Sequence, residues 1–266
     1  MNKLNLILCF ILTVGIVRAQ ELKSPSGNFT MEFSLTVDGK PTYQLSYEGK
    51  EIVKKSTLGF DFKSNLKEME FEAQKEVEKE KAMKMANFKS GFEVVDVKHS
   101  SFDETWTPVW GEVSQIRNHY NEMAVQLNQK NTDRQMLIRF RLYDDGLGFR
   151  YEFPEQKNLT YFVIKEERTQ FALTGDHTTW WIAGDYDTQE YDYTESKLSE
   201  IPELYFSSMQ SNASQTPMPV PGVQTALMMK SKEGTYINLH EAALIDFPAM
   251  SLALDAKNYV LESHLT

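Results

Sequence analysis

Residues 28–47 read NFTMEFSLTVDGKPTYQLSY, an alternation of apolar and polar side chains that is interrupted once, at Asp38-Gly39-Lys40-Pro41. Side chains of a β-strand point alternately to the two faces of its sheet, so a period of two predicts half-buried strands on both sides of the interruption. Glycine and proline at the interruption supply turn chemistry. The stretch therefore predicts a β-hairpin or a β-meander.

The same alternation returns along the rest of the chain. No helical segments alternate with these runs, so the pattern predicts antiparallel strands rather than a βα fold. Short strands at this spacing are typical of sandwiches. We therefore expect an all-β sandwich of antiparallel sheets, with further strands at residues 122–128, 136–143, 148–153, 160–164, 225–229, 235–239 and 250–254.

Two segments depart from this pattern. Residues 67–85 are rich in Glu, Lys, Met and Ala, which favours helix, but their like charges cluster and no apolar stripe runs along them. We interpret them as a solvated excursion or a short surface helix, with a binding element as the alternative. Residues 207–222 are rich in Ser, Asn and Pro, which predicts a long loop, and loops of that length are often functional or mobile.

The first nineteen residues have the features of a cleavable secretory signal. Met1–Ala19 carries Lys3 near its start, then an apolar run too short to span a bilayer, and small residues precede the expected cleavage site. We expect the domain to be residues 20–266, secreted across the inner membrane into the periplasm. A lipoprotein signal ending at Cys9 is the alternative, but it would leave only about five apolar residues before the cysteine, fewer than the usual ~seven.

The composition restricts what the mature chain can do. Cys9 is the only cysteine, and its loss with the signal would exclude disulfide scaffolds, zinc-thiolate sites and cysteine enzymes. Cleavage of the signal would remove the positive charges of Lys3 and Arg18 and make the formal charge of −10 more negative by two. Such an acidic chain is unsuited to nucleic acid or anionic membranes, so a neutral ligand, a soluble partner or a cation fits better. No apolar run after the signal is long enough for a membrane span.

Aromatic and polar side chains concentrate in one non-periodic stretch near the middle of the chain, residues 103–122. It contains Trp106, Trp110 and Glu112. Aromatic rings that stack on sugar faces, beside groups that bond hydroxyls, suit a carbohydrate ligand. The alternative is that Trp106 and Trp110 are core or interface aromatics.

Residues 144–152 read DDGLGFRYE, which predicts a tight Asp-Gly turn that enters a strand. Arg150 and Glu152 stand two residues apart on that strand and therefore share one of its faces. Opposite charges in this arrangement predict a structural ion pair rather than a catalytic pair.

A third stretch, residues 180–193, reads WWIAGDYDTQEYDY. Four carboxylates lie within eight residues, interleaved with tyrosines and close to two tryptophans. Hard cations such as calcium prefer clustered oxygen ligands. The spacing is not that of an EF-hand loop, so the residues alone leave a metal role open. The candidates in this stretch are Trp180, Trp181, Asp185, Asp187 and Glu190.

Four motifs follow one another in the chain: TWTPVWGE at 105–112, RNHYNE at 117–122, DGLGFRYE at 145–152 and GDYDTQEY at 184–191. In this order they resemble glycoside hydrolase family 97, and within it the α-glucosidases of bacterial starch utilisation. The similarity runs from the signal segment to the last residue. The resemblance implies an N-terminal β-super-sandwich that packs against a (β/α)8 barrel, with a small C-terminal β-domain beyond the barrel.

The resemblance also implies an activity and a metal. Enzymes of the family cleave α-glucosidic bonds in starch-derived oligosaccharides, or related α-galactosides, with calcium near the reacting sugar. The sandwich lends one carboxylate to that calcium, and the matching position here is Glu190. The other calcium ligands and both catalytic carboxyl groups come from the barrel. Candidates for carbohydrate binding or for the barrel interface are Trp106, Trp110, Glu112, Trp180, Trp181, Asp185 and Asp187.

The barrel is absent from this sequence. Glycoside hydrolysis needs a general acid on one side of the scissile bond and a base or nucleophile on the other, and no carboxylate here matches a catalytic one. We expect a non-catalytic domain, and the end at Leu265-Thr266 predicts a sandwich without its last strands. Three hypotheses remain: the sandwich of a truncated α-glucosidase gene, a stand-alone carbohydrate-binding module for α-glucan oligosaccharides, and a subunit that assembles with a separately encoded barrel.

Overall fold

The computed structural model describes residues 19–63, 83–211 and 214–265. The predicted signal segment, most of the 67–85 segment and two residues of the 207–222 segment lie outside these ranges. Within them the chain forms nineteen strands in four antiparallel sheets, which confirms the predicted all-β architecture. In the same ranges, no helix is both long and apolar enough to cross a membrane.

The largest sheet has eight strands and supplies one layer to the whole domain. Every neighbouring pair in it is antiparallel. The predicted hairpin of residues 28–47 is confirmed as two of its strands. In spatial order the strands are β1 (Gln20–Lys23), β2 (Phe29–Leu35), β3 (Pro41–Tyr47), β4 (Lys50–Thr57), β12 (Gln170–Leu173), β19 (Val260–Leu265), β18 (Met250–Asp255) and β15 (Gly222–Gln224).

Three smaller sheets complete the fold. The first small sheet consists of β10 (Leu147–Glu152), β9 (Arg134–Leu142), β8 (Ile116–Gln129) and β7 (Phe92–Trp106). The second small sheet consists of β14 (Thr194–Lys197), β13 (Thr178–Trp181), β16 (Leu227–Lys230) and β17 (Tyr236–Leu239). A three-stranded sheet is formed by β11 (Ile164–Glu167), β5 (Phe60–Phe62) and β6 (Asn87–Phe88), and one helical turn, α1 (Ile201–Leu204), follows β14.

One face of the eight-stranded sheet carries two adjacent cores. Val53 on β4 lies opposite Leu173 on β12 in the strand register, yet Val53 belongs to the first core and Leu173 to the second. Ile52 and Phe171 pack against both cores. The first core includes Met31, Phe33, Val125, Leu127, Ile138 and Phe140. The second core includes Trp181, Val223, Leu227, Met229, Leu252 and Leu261.

The eight-stranded sheet is thus the shared layer of two sandwiches, one closed by the first small sheet and one by the second. Each sandwich buries the apolar side of strands whose other side stays polar. Strand β9 shows this alternation over its whole length, with Met136, Ile138, Phe140 and Leu142 fully buried and their neighbours less so. This arrangement is the super-sandwich that the family resemblance implies.

Two predicted strands are placed differently by the structure. The strand expected at residues 160–164 begins only at Ile164; before it, Phe162 packs on the rings of Phe62 and Phe153, while Tyr161 is 86% exposed. A loop that buries one aromatic side chain therefore produced the alternation. The strand expected at 225–229 begins only at Leu227, because residues 225 and 226 connect β15 of the eight-stranded sheet to β16 of the second small sheet.

A two-stranded arm, residues 102–120, projects from the first small sheet. Pairing between β8 and β9 stops at Asn121, and in the described structure the strand segments beyond it pair only with each other, from Phe102 opposite Tyr120 to Trp106 opposite Ile116. In the arm, the β7 segment is exposed along its whole length, whereas the β8 segment is only partly exposed and ends at the buried Tyr120. Strand β7 was not among the predicted strands, because most of its side chains are exposed and it shows little alternation of buried and exposed positions.

Candidate functional site

Glu190 lies on the connection between β13 and β14, which we call the Glu190 loop, residues 182–193. The strand before it is held between β14 and β16, and its last residue, Trp181, is fully buried. Beside the loop runs the segment predicted to be a long loop, and Asp185 forms an antiparallel bridge with Pro217 of that segment. The Glu190 loop is therefore supported by the sheet at its start and by a second loop along its side.

The buried carboxylate of Asp185 organises the loop. Its Oδ1 accepts the backbone N–H groups of Asp187, Thr188 and Thr216 at 2.8, 3.1 and 3.0 Å. Its Oδ2 accepts the hydroxyl of Tyr191 at 2.9 Å. Burial would raise the pKa of Asp185, but these donors outweigh burial and hold the pKa below its ordinary value. Asp185 is thus an ionised anchor whose oxygens are engaged within the fold.

Two side chains that the sequence did not reveal complete this support. The Gln224 Nε2 donates to the carbonyls of Ala183 and Thr188 at 2.9 and 2.8 Å. The hydroxyl of Tyr205 donates to the carbonyl of Gly184 at 2.6 Å. Both side chains are distant from the loop in sequence, so spacing could not identify them; the one available signal was an amide inside the apolar strand β15.

The hydrogen bonds that hold the loop backbone leave the Glu190 carboxylate exposed. The backbone N–H of Glu190 donates to Thr188 Oγ1 at 3.2 Å, while within the described ranges no hydrogen bond or ion pair engages its carboxylate. Asp187 is also exposed, and its Oδ2 accepts the hydroxyls of Ser214 and Thr216. The loop therefore fixes its own backbone and presents the carboxylate of Glu190 to solvent.

The described residues can supply part of a calcium site only. Among them, no three His, Cys, Asp or Glu side chains converge as a metal-binding group. Calcium takes about six to eight oxygen ligands. Glu190 is suited to be one of them because its carboxylate is exposed and its backbone is fixed.

The two adjacent tryptophans of β13 have opposite environments. Trp181 is fully buried in the second core and its Nε1 donates to Ser196 Oγ at 2.9 Å. Its assignment as a carbohydrate-binding or interface candidate is therefore wrong, because strand alternation turns it inward. Trp180 points outward and is partly exposed, and its Nε1 donates to Glu195 Oε2 at 2.9 Å.

The other aromatic candidates lie on the arm. Trp106 is 48% exposed at the end of β7, and Trp110 is 88% exposed in the turn that joins the arm strands. Glu112 is exposed in the same turn. Both tryptophans belong to the first small sheet, whereas the Glu190 loop belongs to the second. Their exposure leaves them as candidates for a partner domain or a ligand.

The predicted pair of Arg150 and Glu152 is confirmed, with Arg150 Nη2 at 2.7 Å from Glu152 Oε1. It is one end of a larger network. Glu152 also binds Arg139, and Arg139 and Arg141 both bind the nearly buried Glu122, the latter at 2.8 Å. Burial opposes ionisation of Glu122, but the two guanidinium groups hold its pKa below the ordinary value. The network joins β8, β9 and β10 and has a structural role.

Comparison with known proteins agrees with this fold. The sequence profile of the glycosyl-hydrolase 97 N-terminal family matches residues 22–265. The chain belongs to this family. A glycoside hydrolase family 97 enzyme from Pseudoalteromonas sp. strain K8, solved in complex with acarbose, is 27% identical, with a TM-score of 0.74 over 93% of this chain and 32% of that one.

Further solved structures support the assignment. A variant family 97 enzyme from the same strain, in complex with panose, is 28% identical with a TM-score of 0.71 over the same shares of the two chains. A β-arabinopyranosidase is only 16% identical and, with a TM-score of 0.69 over 92% of this chain and 35% of its own, shares the fold. The family 97 domain described here spans 32% of the length of the Pseudoalteromonas enzyme.

Proposed function

We propose that this family 97 domain is the N-terminal part of a calcium-dependent α-glucosidase that acts on starch-derived α-glucosides. The observation that carries the proposal is the exposed carboxylate of Glu190 on a loop fixed by Asp185. A group that is already positioned loses little freedom when a cation and its other ligands arrive. The acarbose and panose complexes of relatives support a carbohydrate substrate, and panose is itself an α-linked glucose trisaccharide.

In this proposal the domain is non-catalytic by itself. Glu190 supplies one calcium ligand, and a (β/α)8 barrel supplies the other ligands and both catalytic carboxyl groups. Bound calcium would orient the reacting sugar and stabilise charge near it. The Glu190 loop would face the barrel, and the exposed arm tryptophans Trp106 and Trp110 are candidates for the same interface.

We further propose secretion into the periplasm. The signal features of Met1–Ala19 carry this part of the proposal. The chain beyond the signal contains no cysteine, which is compatible with an oxidising compartment and with the absence of structural disulfides. Fractionation of the producing cells, with N-terminal sequencing of the mature chain, would test both the compartment and the expected start at Gln20.

The calcium role is tested by fusing the domain to a family 97 barrel and measuring hydrolysis of an aryl α-glucoside against free calcium. Glu190→Gln removes a charged ligand, so the calcium concentration for half-maximal activity should rise at least about tenfold, equivalent to about 1.4 kcal/mol. Asp192→Asn is the matched control, because Asp192 is an exposed carboxylate on the same loop. Equal calcium dependence in the two variants would contradict the role of Glu190.

The unfused chain tests the non-catalytic assignment. It should not hydrolyse the aryl α-glucoside, with calcium or with a chelator. Calcium-dependent turnover by the chain alone would mean that the sandwich contains its own acid and base, and the proposal would fail.

A second candidate function is a stand-alone carbohydrate-binding module. The favouring observation is the exposure of aromatic side chains, with Trp110 88% and Tyr236 61% exposed. Calorimetric titration of the unfused chain with maltose tests for sugar binding without a barrel, which a stand-alone module requires. Binding of maltose by the unfused chain, together with a barrel fusion that shows no calcium-dependent turnover, would favour the module.

A further inference from the structure

The second small sheet presents one face to the second core and the other to solvent. Trp181 and Met229 point inward and are fully buried. Because side chains alternate along a strand, their neighbours Trp180 and Met228 point outward, and Tyr236 points outward beside the buried Ile237. Met228 is 38% exposed and Tyr236 is 61% exposed. An aromatic surface thus stands on three adjacent strands, β13, β16 and β17.

The two rings of this surface are nearly parallel. The planes of Trp180 and Tyr236 differ by 22°, and their centroids are 6.5 Å apart. Trp180 is fixed by the hydrogen bond from its Nε1 to Glu195. The Lys230 ammonium lies 4.9 Å from the centroid of Tyr236. An exposed cation–π contact is weak, so an arriving ligand can displace the lysine.

Polar side chains surround the rings. In the strand register Trp180 is opposite Glu195, and Met228 is opposite Asn238, both on the outer face. The face therefore combines apolar rings with hydrogen-bonding groups of both charge signs. Sugars have apolar C–H faces bordered by hydroxyl groups, so a neutral oligosaccharide matches both the rings and the polar rim. A purely apolar ligand would leave the rim unpaired.

We propose that this face is a separate binding surface for a neutral α-glucan oligosaccharide, with Trp180 and Tyr236 as its stacking residues. The choice of an α-glucan rests on the proposed function, whereas the two-ring surface does not. Trp180 stands two positions before the first residue of the Glu190 loop, so a glucan that stacks on it would reach the start of that loop. The surface would retain a long substrate near that loop.

The test is a calorimetric titration of the full chain with maltohexaose, with intrinsic fluorescence as a second readout. Tyr236→Ala should weaken binding at least about tenfold, since the loss of one stacking ring is comparable to the free energy of a tenfold change. Tyr236→Phe keeps the ring and should bind like the native chain. Tyr161→Ala removes a tyrosine that is 86% exposed outside this sheet and should also bind like the native chain.

Three results would overturn the proposal: no binding of maltohexaose by the native chain, equal binding by Tyr236→Ala, or binding of cellohexaose in place of maltohexaose. Fluorescence should change on binding because Trp180 meets the ligand, and this change should disappear in Trp180→Phe. Glu190→Gln leaves the outer face of the sheet intact, so the calcium experiment and this experiment can fail independently.

Discussion

At the scale of single residues, the carboxylate of Asp185 has the largest structural influence on the candidate site. It accepts three backbone N–H groups and one hydroxyl, and these bonds hold the Glu190 loop in one conformation. Asp185→Asn replaces a carboxylate, whose two oxygens both accept hydrogen bonds, by an amide. The NH2 group of that amide would face donors that now bind the carboxylate. We expect this variant to lose about 1–3 kcal/mol of unfolding free energy at pH 7.

The same residue predicts a pH dependence. The pKa of Asp185 is lower in the folded state than in the unfolded chain, so its stabilising effect is complete above the unfolded value of about 3.9 and is lost as pH falls through the folded value. Thermal unfolding of the native chain and Asp185→Asn between pH 7 and pH 3 should show the difference in Tm shrinking below about pH 4. A difference that stays constant down to pH 3 would contradict the ionised anchor.

Glu167 predicts the opposite pH dependence. It is partly buried, accepts the hydroxyl of Thr169, and burial raises its pKa. The folded state therefore binds the proton more tightly, and stability falls as pH rises from the unfolded value of about 4.3 through the folded value. Glu167→Gln imitates the protonated acid, so it should stabilise the domain at pH 7 and have little effect near pH 4. If Glu167→Gln were less stable than the native chain at pH 7, the claim that burial raises the pKa of Glu167 would be contradicted.

At the scale of elements, the network around Glu122 holds three strands of the first small sheet together. Glu122→Gln would leave Arg139 and Arg141 without their shared carboxylate in a nearly buried position, and we expect a loss of about 3 kcal/mol in chemical denaturation. The control is Asp103→Asn, which breaks the bidentate pair with Arg117 on the exposed arm and should cost much less, because solvent screens an exposed ion pair. If the two variants lost similar amounts of unfolding free energy, burial would not explain the effect of replacing Glu122.

Whether a strand could be predicted from the sequence depends on how its two faces are buried. Strand β9 was predicted because one of its faces is buried and the other is not, whereas β7 was not predicted because most of its side chains are exposed. The adjacent tryptophans of β13 could not be told apart, because only the strand register decides that Trp181 faces the core. Glu190 was identified by family resemblance, but its supports Gln224 and Tyr205 depend on contacts between distant segments.

At the scale of the whole molecule, the shared eight-stranded sheet predicts that the two cores unfold together. Trp106 and Trp110 are exposed on the arm, whereas Trp181 is fully buried in the second core, so the fluorescence of Trp181 reports the second core. Leu127→Ala creates a cavity in the first core and should cost about 2–5 kcal/mol. The denaturation midpoint should shift equally by fluorescence and by far-ultraviolet circular dichroism. An unchanged fluorescence midpoint would mean that the cores unfold separately.

The length of the arm is free to vary during evolution. Its strands pair only with each other in the described structure, so residues can be inserted near the turn without disturbing either core. Side chains alternate between the two faces of a strand. Inserting one residue in each arm strand therefore turns the side chains beyond the insertion to the opposite faces, and inserting two residues returns them to their original faces. Each permitted step would move the tip by roughly 7 Å. Related sequences should therefore differ in arm length by even numbers of residues per strand, which would adjust the reach of Trp110 in discrete steps.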